Sequence, residues 1–290
     1  QLVHRGDLVA ATQGRAIWVL DALAPLRYLA QAAPGPQAEL VAPDAATRLR
    51  FNQNRDTPLP PEEPTGENAP AGAVLDYILP ADFSGGVKLE IFAEDGSLVR
   101  SFDSEAPPAV AKARVYFAAT WLGHPRALPA TPGHHRFVWN LRYAPPPTIE
   151  SEYSIAAVPE RETPVLPQGA FVLPGTYTVT LTAGDSSVSQ FLSVVMDPRL
   201  DVQPAVLGEL LEFQQQVAAL LGRVVALEAE RGGGADRAVE PDPRDPLRSI
   251  AKDLTALAID LERADAAPTA PQREVLQYER ARLEQLTAAN

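Results

Sequence analysis

The strongest constraint on this chain is a change of period. Up to about Met196 apolar side chains recur every second residue, and from Val206 onward they recur every third or fourth. Alternation by two places successive side chains on opposite faces of a strand, whereas steps of three and four line one face of a helix. The first part therefore predicts sheet and the last part predicts helix.

Within the first part, VKLEIFAE (87–94) alternates most clearly, with Val87, Leu89 and Ile91 on one face and Lys88 and Glu90 on the other. Asp95-Gly96 supplies a tight turn into SLVRSF (97–102), which completes a hairpin. AVLDYIL (73–79), HRFVWNLRY (135–143), TYTVTLTA (176–183) and SVSQFLSVVMD (187–197) are further strands. PGTY places Pro174 and Gly175 at the centre of a type II turn, which predicts positive φ at Gly175 and a loss of stability on Gly175→Val. Six or seven short strands joined by turns suggest an antiparallel sandwich of about 100 residues. It spans 73–200, with proline-bearing insertions at about 104–132 and 145–169.

Two flanking stretches precede it. In DLVAATQGRAIWVLD (7–21), two β-prone runs surround Gln13-Gly14, a hairpin signal within 1–30. The runs are apolar on both faces, and a lone hairpin is marginal in water, so this one calls for a larger sheet. Residues 31–72, with PLPPEEP at 58–64, read as a proline-rich linker with one short strand at 39–42.

Residues 201–290 carry three helical stripes. Val206, Leu210, Phe213, Val217, Leu220, Val224 and Leu227 form the first, ended by Gly232-Gly233-Gly234. Asp245-Pro246 reads as N-cap and first helical residue of the second, with Leu247, Ile250, Leu254, Leu257 and Leu261. Thr269 and Gln272 fit a capping box for the third, with Leu276, Leu283 and Leu286. Short loops and interspersed outer charges favour a three-helix up-down bundle over a coiled coil with another chain.

Charge narrows the partners. The net charge of -12 divides evenly, -6 on either side of residue 200, so the acidity is no tail. Such a surface repels phosphate backbones, which excludes nucleic acid as an expected partner. No apolar run reaches the roughly 20 residues of a membrane helix. The absence of cysteine removes disulfides and thiolate chemistry. The start at Gln1, with neither initiator Met nor signal-peptide pattern, reads as a fragment.

Reactive motifs are missing: no H-E-x-x-H, G-x-S-x-G, P-loop or G-x-G-x-x-G occurs. Neighbours in a strand point to opposite faces, so His134 and His135 are poor co-ligands for one metal. His124 with one of that pair is the remaining metal arrangement, and the expectation is no metal and no cofactor. Trp18 and Trp139 sit in apolar strands and are expected in the core, whereas Trp121, in an insertion, is the candidate exposed aromatic for a sugar platform. The ligand candidates are thus Trp121, His124 and His134, with no catalytic residue assigned. At Asp197-Pro198-Arg199 an ion pair with Arg199 and a helix cap by Asp201 are preferred to a calcium site.

Several of these segments resemble a known family. DLVAATQGRAIWVLD followed by PLR resembles the last propeller strands of bacterial sortilin-like proteins with BNR-type or WD40/YVTN-like repeats, often labelled glycosyl hydrolases. GAVLDYILP, VKLEIFAEDGSLVRSF, GHHRFVWNLRY, LPGTYTVTLTAG and VVMDPR resemble the Ig-like module that follows that propeller, a pattern shared with flagellar hook-capping proteins. The segment from Asp201 is similar to the family's tail. The resemblance implies a mainly β plus α chain: an antiparallel Ig/fibronectin-like β-sandwich, then a three-helix up-down bundle, preceded by the last strands of a β-propeller. It further implies a secreted or periplasmic parent and the upstream propeller domain as partner. Gln13, where the family commonly has His, and the long 104–132 insertion depart from the pattern. The Asp boxes of sialidase-type propellers are absent, and EDGS (94–97) reads as a hairpin turn. The expected function is a non-catalytic structural or interaction module of a secreted β-propeller protein. The alternatives are an accessory part of a glycosidase- or sialidase-like hydrolase whose active site lies in the propeller, and a carbohydrate-binding module.

Overall fold

The computed structural model describes residues 2–4, 6–14, 16–31, 35–50, 69–106, 113–114, 127–149, 151–153, 165–232 and 245–288. Strands form where period two was read. They are β6 (Ala73–Leu79), β7 (Val87–Phe92), β8 (Leu98–Asp103), β10 (Gly133–Trp139), β13 (Gly175–Ala183) and β14 (Ser186–Met196). The turn at 94–97 closes β7 onto β8: Ser97 N–H donates to Asp95 Oδ1 at 2.9 Å, and Gly96 takes φ +81°.

The strands are shared among four sheets. β4 (Glu39–Leu40) joins one as β10-β6-β4, and β5 (Ala46–Arg48) joins the largest as β5-β14-β13-β7-β8. One apolar core lies where these two sheets meet, with Leu75, Tyr77 and Trp139 from the first and Leu89, Ile91, Val179, Leu181 and Leu192 from the second. A third sheet, β12-β11-β9, comes from the insertions: β9 (Ala113–Arg114), β11 (Ser151–Tyr153) and β12 (Val165–Leu166). The fourth is β1 (Leu2–His4), β2 (Asp7–Ala11) and β3 (Ile17–Leu20), in that order and antiparallel throughout.

This arrangement corrects the expected fold class. The chain is not an antiparallel Ig/fibronectin-like sandwich followed by a three-helix bundle. The described residues form four helices and a mixed sheet that makes a half-barrel. β5 runs parallel to β14, with Ala46 opposite Val194, and β11 runs parallel to β9. The physical reason is that period two marks a strand but not its partner's direction. Residues 46–48 lie within the stretch read as linker, so their pairing with a strand near residue 195 left no local pattern.

The fourth helix, α1 (Ala24–Gln31), follows β3 directly. The others are α2 (Pro204–Gly232), α3 (Pro246–Leu261) and α4 (Ala270–Ala288). Leu210, Phe213, Val217, Leu254, Leu257 and Leu276 share their core. α3 packs against both neighbours, while α2 meets α4 only slightly. α4 offers only a narrow apolar stripe, buried at Leu276 and Leu283, so it has little to present to a second helix. The caps follow the reading. Leu247 N–H donates to Asp245 Oδ1 at 2.9 Å, Thr269 N–H to Gln272 Oε1 at 2.8 Å and Gln272 N–H to Thr269 Oγ1 at 3.4 Å. α2 begins at Pro204, so Asp201 lies short of its cap, while Arg199 does pair with Asp197, at 2.7 Å.

Two further readings change. Trp139 is fully buried, but Trp18 is 67% exposed. Gly175 is already the first residue of β13, opposite Val194, with no positive φ and open space around its α-carbon. The strict glycines are elsewhere. Gly72 has φ +147°, and a side chain there would overlap the Trp139 carbonyl. Gly169 has φ +98°, and a Cβ would lie 2.6 Å from the Tyr143 carbonyl oxygen. Alanine at either position is expected to lower stability by about 2 kcal/mol or more, whereas Gly175→Ala stays within about 0.5 kcal/mol. Urea titration of the three variants checks this order.

Candidate functional site

Two clusters of polar side chains stand out, one at the surface and one buried. The surface cluster is built on the face of β6 that points away from the core. Asp76 there is flanked across the strand pair by Arg136 and, one pair further, by His134 on β10. The Asp76 side chain is only 4% exposed. Its Oδ1 lies 2.9 Å from His134 Nε2 and accepts from Arg136 Nε at 3.1 Å. Arg136 also donates to the Asp21 and Ala22 carbonyls at 3.3 and 3.4 Å. Those residues link β3 to α1, so Arg136 ties the N-terminal unit to the β10-β6-β4 sheet. His135 takes the opposite face, as alternation requires, and its ring lies 5.2 Å from that of Tyr77. Next to His134 runs an open groove of about 710 Å³, lined by Leu29, Pro36, Ile78, Pro80, Asp82 and Pro132 among others.

Of the sequence candidates, only His134 falls within the described residues. Trp121 and His124 lie outside them, and with them the sugar-platform and His124 metal readings.

The buried cluster sits where the sheets meet the helices. Arg48 at the end of β5, Arg50 just beyond it, and Arg142 after β10 surround the ring of Phe171. Their guanidinium carbons lie 4.9, 5.0 and 3.7 Å from its centroid. Two carboxylates from the segment that follows α3 answer them. Asp265 binds Arg48 and Arg50, each at 2.7 Å. Glu262 Oε1 accepts the Gln168 and Gly169 N–H groups at 2.8 and 3.0 Å. Its Oε2 faces Arg142 Nη1 at 3.8 Å and has no hydrogen-bond donor among the described residues. Arg50 further donates to the Glu262 and Ala264 carbonyls, and Arg142 to the Gly169 carbonyl at 2.5 Å. A cavity of about 70 Å³ between Tyr143, Pro146, Gln214, Ala258 and Glu262 borders the cluster.

Local backbone explains how Arg142 reaches this place. Leu141, fully buried, takes φ +57°, a left-handed conformation that costs a branched residue energy. The Val172 N–H donates to the Leu141 carbonyl, and the Tyr143 N–H to the Ala170 carbonyl, both at 2.9 Å. These two bonds make up the antiparallel Arg142–Phe171 bridge, which holds the twist.

Burial lowers the Arg142 pKa to about 10; Glu262 opposes that shift, and the nearby Arg50 and Arg48 add to it. Desolvation likewise raises the Glu262 pKa against the pull of Arg142 and the two N–H donors. Asp265 also suffers desolvation, but Arg48 and Arg50 outweigh it and its pKa falls. The cluster was missed by sequence reading because its members lie at 48, 50, 142, 262 and 265, and no spacing joins them. The one available signal was the run of arginines at 48 and 50 just before a proline-rich stretch.

Comparison with known proteins adds no identity: no family model, curated protein or solved structure matches the chain. Among the described residues no helix is long and apolar enough to cross a membrane.

The two acids imply opposite pH responses. A raised folded pKa means that Glu262 contributes stability fully present below its unfolded value and lost as pH rises through the folded one. Asp265, with its lowered pKa, contributes stability present above its unfolded value and lost only as pH falls through the folded one. Of these two acids, only Glu262 changes its contribution between neutral pH and the ordinary carboxylate range. The melting temperature of the wild type minus that of Glu262→Gln is therefore expected to rise as pH is lowered from neutral toward that range. Paired thermal melts across the interval measure it, and a constant difference would show that Glu262 does not titrate there.

Proposed function

We propose that this chain is a non-catalytic structural and interaction module of an exported β-propeller protein, joined to its partner through β3. The observation that carries this reading is the exposure of that strand. Ile17, Trp18, Val19 and Leu20 are 72, 67, 55 and 44% exposed, and they occupy an edge position. Successive strand residues face opposite ways, so both faces of the edge are apolar. Natural edges are blunted with Lys, Pro or a bulge, and β3 carries none of these. A strand with this character suits the interior of a larger sheet, where its backbone groups find partners and both faces are covered.

The buried ion cluster supports the non-catalytic part. Its five charged side chains engage one another, Phe171 and backbone groups. They tie sheets to helices, which is a structural task. The upstream propeller domain as the partner, and export, rest on the residues that resemble sortilin-like BNR-repeat proteins.

Hydrogen exchange tests the proposal directly. Of the amides of 17–20, those on the open edge, which do not donate to β2, are expected to exchange freely in this chain and to be protected in the proposed parent protein. Trp18→Lys with Val19→Lys is expected to abolish that protection while leaving protection of β13 unchanged. Equal exchange of 17–20 in both contexts would overturn the assignment of β3 as the docking strand.

A further inference from the structure

We infer that the groove beside His134 binds the ring of a neutral sugar. The site is separate from β3 and does not depend on the reading above.

Three features define what fits. The first is shape. Walls come from α1 through Leu29, from the segment before β4 through Pro36, from the end of β6 through Ile78 and Pro80, and from the entry to β10 through Pro132. The volume of about 710 Å³ falls within the range of small-ligand sites. Three prolines and two aliphatic residues give largely C–H surface, which favours a ligand with an apolar face.

The second is a fixed polar anchor. His134 is 41% exposed, yet the carboxylate that holds it is 4% exposed. Asp76, kept beside Arg136, can only accept hydrogen bonds. The pairing places a hydrogen on Nε2, so that in the neutral form of the ring Nδ1 is an acceptor. A hydroxyl group, which both donates and accepts, can pair with Nδ1.

The third is charge. Asp82 lines the groove, and the chain carries -12 overall, so an anion is repelled. A pyranose ring combines an uncharged body, a C–H face and several hydroxyl donors. Neither an acidic peptide nor a nucleotide does.

Imidazole resonances give a direct test, because the chain contains only four histidines. Protein labelled with ¹⁵N-histidine would be titrated to about 10 mM, a weak-binding regime, with neutral gluco-, manno-, galacto- and N-acetylglucosamine hexasaccharides. His134→Gln assigns the signal. At least one sugar is expected to shift the His134 Nδ1 resonance along a saturating curve. His134→Ala, at an exposed position, is expected to abolish binding with near-ultraviolet circular dichroism unchanged. Asp76→Asn frees the ring and is expected to weaken binding about tenfold. If that variant fails to fold, the His134 pair still decides. No shift with any sugar, binding that survives His134→Ala, or an equal response to hexylammonium would each overturn the inference.

Discussion

The structure turns on the contact between three arginines and one phenylalanine ring. Arg48, Arg50 and Arg142 come from segments far apart in sequence and meet around Phe171. Like charges gathered in a low-dielectric site repel, so the arrangement requires counter-charge from elsewhere. The segment after α3 delivers it through Glu262 and Asp265. The two apolar cores, one between sheets and one among helices, are thus joined by an ionic seam. Breaking one partner of such a seam leaves uncompensated charge in the interior. That cost is larger than any attraction the intact pair adds, and it makes the relative placement of sheets and helices specific rather than merely cohesive.

A second layer of organisation depends on the same logic at lower cost. Asp76 sits on the outward face of β6, yet it is covered, with His134 and Arg136 hydrogen-bonded to it. Arg136 reaches from β10 to carbonyls at 21 and 22, so one buried carboxylate organises both the His134 imidazole and the attachment of the N-terminal unit. The covered outer face of β6 explains why AVLDYIL carries apolar residues at successive positions. Asp76 and Ile78 are buried, as Leu75 and Tyr77 are, and the strand is enclosed on two sides.

What could be read from residues was whatever local pattern encodes. Strands β7 and β13 announce themselves by alternation, and Asp245, Thr269 and Gln272 by cap chemistry, because neighbours in sequence are the partners. The hairpin around Gln13-Gly14 was legible for the same reason. What failed was anything set by distant pairing. β5 lies in a stretch whose prolines suggested extended surface chain, and only its partner near residue 195 makes it a strand. Trp18 was assigned to the interior from its apolar neighbours, since sequence cannot tell a strand awaiting cover from one already covered. Gly175 was given a turn because PGTY fits one, although the ladder with β14 already begins there. Of the surface site, His134 was named, but its carboxylate was not, for Asp76 reads as one polar position in an otherwise apolar run.

The parallel pairing of β5 with β14 has a consequence for the order of events during synthesis. Ala46, Thr47 and Arg48 leave the ribosome early, while Val194, Val195 and Met196 leave only after the intervening strands have been made. Hairpins such as β7–β8 and β13–β14 close short loops and can form as they emerge. The half-barrel instead reaches its final width only when its first-made strand is captured by its last. Until then the arginine at 48 has neither Asp265 nor a finished ring cage. Nascent chains halted before residue 196 should therefore hold local hairpins without the seam that orients the helices.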